Sequence, residues 1–570
     1  MTSGRQKTIG LILDWLDPAY PLLILRGAQD AARTGGVNLI CFSTGLPGPH
    51  GRQEWPAYEV MGPESIDGLI VLGNGPALDG EPAEGKLPEC LNALPRAFVA
   101  GDQADASCVN IDNDAAMALP VDHLVRVHGH QRIGYIGGPD VRPDAQRRLR
   151  AIRAALAAHG LELDPRLALP GDFTVPAGRR AVKTLLDERQ VSIEEVDAVV
   201  AANDGMAWGF IEELWTRGIR VPWDVAVTGF DDVAMARQAR VALTTVRQPV
   251  RELGRVGAEL LLAQLKGSAP KRVDVETHLV TRRSCGCLEG IGRLPLTPAD
   301  LQQRGGRGFD VAFLKRQDAL IAEMRQVGRG RLDALEPGWE HRLVKKAVDE
   351  IKGRSPDAFR LALDEALGRV VAADGDVTAF NDVATALWRH LIPCVLADQG
   401  LRTAVEGVLD GVRLAIGSAA LRAQVADQTA NEIRAYQVVD VCSAISASET
   451  AEALAAVVEK RLPDLGISRL ALAFFRSSGV GETMRCVLSL QNGTARLEQV
   501  DIPAKEFPAR LISPSERMDL VVSGLGTSPR PFGLVCMDME PLSQLVHDGV
   551  RDALGRACRR LRRDPWPCGR

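Results

Sequence analysis

The chain has 570 residues, of which 46% are hydrophobic and 25% are charged, ordinary proportions for a globular protein of roughly two to four domains. The formal net charge of −5 argues against a broad nucleic-acid-binding surface, and no apolar run reaches the roughly 18 residues of a membrane span. The apolar run from Ile9 to Leu13 is too short for a secretory signal and meets Asp14 at once. We therefore expect a cytoplasmic protein without a membrane segment.

Short apolar runs alternate with amphipathic segments from residue 8 to residue 129. One helix is predicted to end at Gly35, and another to cover Asn113–Gly129. Strands are predicted at Thr8–Leu13, Asn38–Phe42, Ile66–Leu72, Arg96–Ala100 and Cys108–Ile111. This alternation is typical of an α/β fold with a mainly parallel sheet.

A second alternation begins at Arg132–Gly137, which indicates a second α/β lobe. Its helices are predicted at Asp144–His159, Val175–Glu188 and Val250–Leu265. Its further strands are predicted at Val199–Ala202, Val225–Thr228, Leu243–Gln248 and Val275–Val280.

Polar side chains directly follow two of these strands. Asn203 and Asp204 come after the strand at 199–202, and Asp231 and Asp232 come after the strand at 225–228. Ligands of parallel sheets lie at the carboxyl ends of the strands, where such donors and acceptors suit a hydroxyl-rich small molecule. Two interpretations stay open: a ligand site, or a helix cap at Asn203 with aspartates that merely end a strand.

Residues 1–287 resemble the effector-binding region of the LacI/GalR family. The segments that carry the resemblance occur in order, namely IGLILD, LRGAQDAAR, IDGLIVL, NIDND, HLVRVHGHQRIGYIGGP, GDF, AANDGMAWGF, VPWDVAVTGFDD, LTTVRQP and LVTRRS. The resemblance implies a periplasmic-binding-protein-like fold. In that fold two Rossmann-like lobes are joined by three crossing segments, and an effector binds in the cleft between them.

The resemblance also implies which side chains contact the effector. The candidate ligand-binding residues are Arg148, Phe173, Asn203, Asp231 and Gln248 in the second lobe, with Asp14 and Tyr20 at the rim of the first. Charged groups that fix hydroxyls, beside an aromatic face, suit a sugar- or nucleoside-like ligand. An alternative stays open, in which Arg148 is only a structural partner of Asp231.

DNA-binding members of the family carry a helix-turn-helix and a hinge helix before this region. The strand predicted at Thr8 leaves no room for them, so we do not expect direct DNA binding. The ending SCGC resembles LacI-type sensor domains that are fused to downstream signalling modules. Its Cys285 and Cys287 form the only close cysteine pair, and neither a second CxxC nor a nearby histidine cluster completes a zinc site in the sequence. We therefore expect free thiols, no metal and no cofactor.

The second half of the chain has a different composition. Residues 288–308 indicate a linker, and residues 309–436 indicate helices that begin with Phe309–Arg325. The last helix is predicted from Leu401 to about Tyr436. Its apolar positions follow three-and-four spacing, which suits either a dimer helix or packing in a bundle; they are Val405, Val408, Val412, Ala415, Ala419, Ala423, Ala426, Ala430 and Ile433.

Residues 437–570 have the layout helix, strands, helix, which is typical of an α+β domain. Four strands are predicted, at Arg469–Phe475, Cys486–Leu490, Met518–Val522 and Phe532–Met537. The segments LPDLGISRLALAFF and FGLVCMDM resemble the GAF-like module that follows LacI-type sensors. The expected domains are therefore 1–287 (ligand binding), 288–308 (linker), 309–436 (helical) and 437–570 (GAF-like).

The sequence contains no phosphate loop, GGDEF or EAL stretch, kinase motif or HExxH. We therefore expect a non-enzymatic sensor, a homodimer that binds a small-molecule effector in the interlobe cleft. It would signal through its C-terminal half to a partner kinase or transcription regulator. Two alternatives stay open: a DNA-binding regulator whose reader lies unrecognised in residues 309–436, and a sugar-modifying enzyme.

Overall fold

The structure is a computed structural model. It describes residues 6–13, 20–43, 60–73, 89–140, 143–233, 235–236, 241–287, 309–329, 331–373, 375–395, 398–476, 483–491, 493–512, 516–525, 531–540 and 544–561. Asp14 and the predicted linker 288–308 lie outside these residues. The described chain forms two compact units. One holds both α/β lobes and the chain from Arg434 onward, and the other is helical and ends at Ile433.

The first lobe is a parallel sheet in which five strands lie in the order β5-β4-β3-β1-β2. These strands are β1 (Thr8–Leu13), β2 (Asn38–Ser43), β3 (Gly68–Leu72), β4 (Arg96–Val99) and β5 (Ser107–Ile111). Helix α1 (Tyr20–Gly35) belongs to this lobe, and the short helix α2 covers Glu89–Asn92. All six residues of β1 and of β2 are buried, as expected for central strands of a covered parallel sheet.

The second lobe is a six-stranded sheet in the order β12-β10-β9-β8-β6-β7. Its strands are β6 (Ile133–Ile136), β7 (Ala168–Leu169), β8 (Ala198–Ala201), β9 (Ala226–Asp231), β10 (Thr244–Arg247) and β12 (His278–Val280). Its helices are α3 (Asn113–His128), α4 (Pro143–Ala158), α5 (Val175–Lys183) and α6 (Asp204–Thr216). Helix α5 continues as a π-helical turn at Thr184–Glu188.

The strand predicted at Val275–Val280 is wrong as a single element. Strand β11 (Arg272–Val275) pairs in parallel with β5 of the first lobe, whereas β12 pairs antiparallel with β10 of the second. Helix α7 (Val250–Gln264) precedes them and packs so closely on α1 that a Cβ at Gly27 would lie 1.9 Å from the Arg251 carbonyl oxygen. An apolar run shows that residues are buried, but it does not show where the chain leaves one sheet for another.

The helical unit contains α8 (Phe309–Leu314), α9 (Gln317–Gly328), α10 (Trp339–Ile351), α11 (Ala358–Ala372) and α12 (Ala379–Val395). The single helix predicted at Phe309–Arg325 is therefore wrong, because the chain turns between α8 and α9. These helices share one hydrophobic core, to which Leu320, Trp339, Phe359, Phe380 and Leu387 belong. Among the described helices, none is both long and apolar enough to cross a bilayer.

Helix α13 runs from Gln399 to Ala447, so its predicted end near Tyr436 is wrong. Neither glycine nor proline occurs between residues 437 and 447, and the next helix, α14 (Ala451–Arg461), begins only after the cap at Thr450. In the predicted apolar seam Val405 and Val412 are buried in the helical core, whereas Ile433 is 55% exposed. The first part of α13 therefore packs as a bundle helix.

The C-terminal region has five described strands rather than the four predicted. They are β13 (Leu470–Phe475), β14 (Thr483–Gln491), β15 (Thr494–Pro503), β16 (Asp519–Leu525) and β17 (Gly533–Asp538). The prediction missed β15 because its residues are largely polar and solvent-facing. Helix α15 (Gln544–Leu561) follows. This α+β layout agrees with the predicted class, while the GAF-like assignment stays a prediction.

The C-terminal strands continue the sheet of the first lobe. Strand β16 pairs in parallel with β2, and the combined sheet has eleven strands in the order β11-β5-β4-β3-β1-β2-β16-β17-β13-β14-β15. Ile40 and Phe42 of the first lobe share a hydrophobic core with Phe507, Leu520 and Val522. The first lobe and the C-terminal region are therefore packed as one body.

Candidate functional site

Arg148 and Asp231 meet at the carboxyl end of the second sheet. Arg148 lies on α4. Asp231 is the last residue of β9, whereas the sequence predicted a strand that ends at Thr228, before Asp231. The guanidinium Nη1 is 3.9 Å from Asp231 Oδ1 and donates a 2.5 Å hydrogen bond to the Ala202 carbonyl oxygen. Arg148 is 7% exposed and Asp231 is 9% exposed. A cation and a carboxylate are thus held side by side with little access to water.

Two aromatic rings lie against the Arg148 guanidinium. Its Cζ is 4.0 Å from the centre of the buried Phe230 ring and 6.0 Å from that of Phe173. The Nε of Arg148 is buried and has no hydrogen-bond partner among the described residues. A buried donor in this state costs about 1–3 kcal/mol, so it marks a place where an acceptor from a ligand would be stabilising.

The backbone is strained at three residues of the candidate site. Phe173 has φ of 66°, Asp231 has φ of 116° and Asp232 has φ of 58°. Each such conformation costs on the order of 1–3 kcal/mol in a residue other than glycine and is typical of binding sites. The Phe173 ring lies over Gly138, where a Cβ atom would come 2.3 Å from the Phe173 Cζ. Only glycine leaves room for the ring in this position.

The two neighbouring aspartates, Asp231 and Asp232, bind different side chains. Asp231 accepts a 2.6 Å hydrogen bond from Gln248 Nε2, and Gln248 is itself 4% exposed. Asp232 instead binds two arginines, with 2.6 Å to Arg282 Nη2 and 2.6 Å to Arg247 Nε. Gln248 therefore belongs with Arg148 and Asp231, whereas Asp232 ties the end of β9 to its neighbours.

Both polar atoms of the Asn203 side chain form hydrogen bonds within the protein. Its Oδ1 accepts the Met206 backbone N–H at the N-cap of α6, and its Nδ2 donates to the Phe173 carbonyl oxygen at 2.8 Å. The helix-cap interpretation of Asn203 is therefore confirmed. The same amide fixes the Phe173 backbone, so Asn203 positions the aromatic ring of the candidate site.

Asp204 lies fully buried beneath the site. Its carboxylate accepts hydrogen bonds from the Thr245 hydroxyl at 2.6 Å and from the Val233 backbone N–H at 2.9 Å. Burial, together with the negative charge of Asp231 and then that of Asp232, raises the pKa of Asp204 well above its usual range.

Of the two residues predicted in the first lobe, Tyr20 begins α1, soon after the carboxyl end of β1, and is half-buried. Asp14 lies outside the described residues. Sequence reasoning missed Phe230, whose ring lies closest to Arg148, although its place before Asp231 was a usable signal. It also missed the role of Arg282 at Asp232, because that contact joins residues 50 positions apart.

Two α/β lobes with a polar and aromatic site at the strand ends define an effector-binding domain. The periplasmic binding protein-like domain family matches residues 121–285, and the chain belongs to the LacI family, as its relatives show. The transcriptional regulator CelR of Thermobifida fusca is 37% identical over 298 residues, which are 50% of this chain and 83% of CelR. The repressor CytR of Escherichia coli K12 is 32% identical over 268 residues, which are 46% of this chain and 74% of CytR.

Solved structures match the same half of the chain. A complex of the regulator CelR with cellobiose has 30% sequence identity and a TM-score of 0.43, and the match covers 50% of this chain and 86% of that one. Both relatives are named as transcriptional regulators. The resemblance to the LacI family is thus confirmed for the first half of the chain.

Proposed function

We propose that the protein is a non-enzymatic sensor that binds a small sugar- or nucleoside-like effector between its lobes and signals through its C-terminal half. The observation that carries the proposal is the buried Nε of Arg148, near the Asp231 carboxylate, for which the described part of the chain supplies no hydrogen-bond partner. A ligand hydroxyl can accept from this donor and donate to Asp231, so a polyol fits both groups at once.

The aromatic part of the site supports the same class of ligand. Phe173 is half-buried and held in a strained conformation, and its ring faces Arg148. An aromatic ring covers the apolar face of a sugar or a base, while the charged pair fixes its hydroxyl groups. Gln248 holds Asp231 in place, so the carboxylate is oriented before the ligand arrives.

The link between the first lobe and the C-terminal region supports a direct output route. Strands β2 and β16 pair along five residues, and Gln29 of α1 donates a 2.8 Å hydrogen bond to Asp519. A movement of the first lobe would therefore carry the C-terminal strands with it. The effector drives such a change only by binding one lobe arrangement more tightly than the other.

A thermal-shift screen of the full chain against sugars, nucleosides and sugar phosphates tests the proposal. Cellobiose, the ligand in the solved CelR complex, is the first compound to include. A hit should raise the Tm in a concentration-dependent way. Hydrogen exchange with the hit should then show added protection in β16 and β17 as well as near Arg148. Protection confined to the second lobe would contradict the output route.

We propose a homodimer through the later part of α13. Several large apolar side chains are exposed there, namely Leu414, Leu421, Val425, Tyr436 and Val439. Light scattering should give a dimer for the native chain and a monomer for Leu421→Glu combined with Val425→Glu. The control is Leu361→Glu, since Leu361 is 69% exposed on a different helix. A native monomer would remove this part of the proposal.

The relatives are named as HTH-type regulators, which favours direct DNA binding as a second candidate function. The net charge of −5 favours instead an output through a partner kinase or transcription regulator. A gel shift against genomic fragments separates the two. A specific shift at nanomolar protein that persists at physiological salt would support the DNA-binding candidate.

A further inference from the structure

Four side chains that commonly bind metals meet near the end of α3. His123 and His128 lie in the last turns of that helix, Cys285 ends the 3-10 turn Arg283–Cys285, and Cys287 follows two residues later. One donor atom from each residue can be chosen so that all four lie within 4.8 Å of one another. Among the described residues, this is the one such group of His, Cys, Asp or Glu side chains.

Two of the six distances between donor atoms in this cluster are close to those around a tetrahedral zinc ion. His123 Nε2 lies 3.4 Å from Cys285 Sγ and 3.3 Å from His128 Nε2. Bonds of about 2.0–2.1 Å from zinc to nitrogen and about 2.3 Å to sulfur place two nitrogens about 3.4 Å apart and a nitrogen and a sulfur about 3.6 Å apart. The two observed separations differ from these values by about 0.1–0.2 Å, so small side-chain movements would bring His123, His128 and Cys285 around one ion.

Two glycines shape the backbone around the four donors. Gly129 ends α3 with φ of 73°, directly after His128. Gly286 lies between the two cysteines with φ of 100°, and a Cβ there would lie 3.4 Å from the His128 ring. The turn at Gly286, between the two cysteines, therefore lies against the His128 ring. The spacing His-x4-His is usual for zinc ligands, whereas Cys-x-Cys is one residue tighter than the usual Cys pair.

The surroundings of Cys285 favour its metal-binding form. Thr244 Oγ1 lies 3.0 Å from Cys285 Sγ, where it can donate a hydrogen bond to a thiolate.

We propose that His123, His128, Cys285 and Cys287 bind one structural zinc ion. The inference is independent of the effector site. Four protein ligands leave no open coordination position, which is the pattern of a structural site rather than a catalytic one. The expectation of no metal site depended on the lack of nearby histidines in the sequence, and His123 supplies one from 162 positions before Cys285. The ion would fix Cys287, the last described residue before position 288, to the end of α3.

Metal analysis of the full chain, purified without a histidine tag, tests the site. About one zinc per chain is expected for the native protein. His128→Ala and Cys287→Ser should each lower the zinc content at least about tenfold, because either variant removes one of four ligands. The matched controls are His130→Ala, whose ring stacks on His128 at 5.6 Å outside the cluster, and Cys442→Ser, a half-buried thiol elsewhere. Both controls should keep the metal.

Cobalt(II) substitution gives a second, spectroscopic measurement. The native chain should show a thiolate-to-cobalt charge-transfer band and the visible bands of tetrahedral cobalt, and Cys287→Ser should weaken the former. Cys287 is only half-buried, so this variant stays informative if the fully buried Cys285 cannot be replaced. A native protein without zinc and without these bands would overturn the proposal. So would full zinc retention in both ligand variants, or a Cys285–Cys287 disulfide seen as the loss of two hydrogens in the intact mass.

Discussion

Arg148 Nη1 and Asp231 Oδ1 lie 3.9 Å apart, and each side chain is about a tenth exposed. The separation is longer than a hydrogen bond, while the low exposure leaves the two charges little screened by water. The pair is thus close enough to be stabilising. The geometry supports the interpretation of Arg148 as a partner of Asp231, and its contact with a ligand stays a prediction.

We expect Arg148→Ala and Asp231→Ala each to abolish the thermal stabilisation caused by the effector. Either change leaves the partner charge buried and uncompensated, which typically costs about 3–5 kcal/mol of stability and removes the ligand contact. Differential scanning fluorimetry with and without the screening hit measures both effects. The control is Arg150→Ala, an exposed arginine on the same helix. An unchanged Tm shift in the two site variants would remove these residues from the site.

We expect Gly138→Ala to weaken effector binding at least about tenfold, because the new Cβ occupies the position of the Phe173 ring and displaces the aromatic face. The fold should survive, since the ring is half-buried and can move. Isothermal titration measures the affinity. Gly368→Ala in α11 is the control. No described atom beyond its own helix backbone lies within 4 Å of its Cβ position, and alanine there should stabilise the helix by about 0.5–1 kcal/mol. Native affinity in Gly138→Ala would argue against a role for Phe173.

We expect the pH dependence of stability to report on Asp204. Its pKa is raised in the folded protein, so the folded state binds more protons than the unfolded state between the unfolded and folded pKa values. The contribution of Asp204 is therefore largest below its unfolded pKa and is lost as the pH rises through the folded pKa. Asp204→Asn has the same shape without the charge. Urea unfolding from pH 4 upward should show a decline for the native chain that the variant lacks. Parallel curves would contradict this.

We expect Asn38→Ala to destabilise the junction between the first lobe and the C-terminal strands. Asn38 is fully buried, and its Oδ1 accepts the Met518 backbone N–H at 2.8 Å. Leaving that donor unpaired typically costs about 1–3 kcal/mol. Urea unfolding followed by circular dichroism measures the loss. Gln6→Ala removes an exposed hydrogen bond to Gly36 and should change the free energy of unfolding by less than about 0.5 kcal/mol. Equal effects of the two variants would contradict the importance of this junction.

The local pattern of the sequence determined most of the strands and helices of the two lobes. Buried parallel strands such as Thr8–Leu13 read as continuous apolar runs, and the predicted bounds of β1 agree with the structure. The order of polar residues after the strands predicted that Asp231 lies at the sheet edge, and the resemblance to the LacI/GalR family added Arg148 and Gln248, which do meet Asp231 there. The solvent-facing strand β15 was missed because alternating polar residues give a weak signal.

The tertiary structure alone decided which distant segments meet. Pairing of β2 with β16 joins residues about 480 positions apart, and the cluster of His123 with Cys285 joins residues 162 positions apart. Side-chain periodicity reports which face of an element is buried, but it does not identify the element that covers this face. The sequence therefore determined the lobes and the candidate effector residues. Long-range packing decided that the C-terminal strands extend the first lobe and that two histidines reach the cysteine pair.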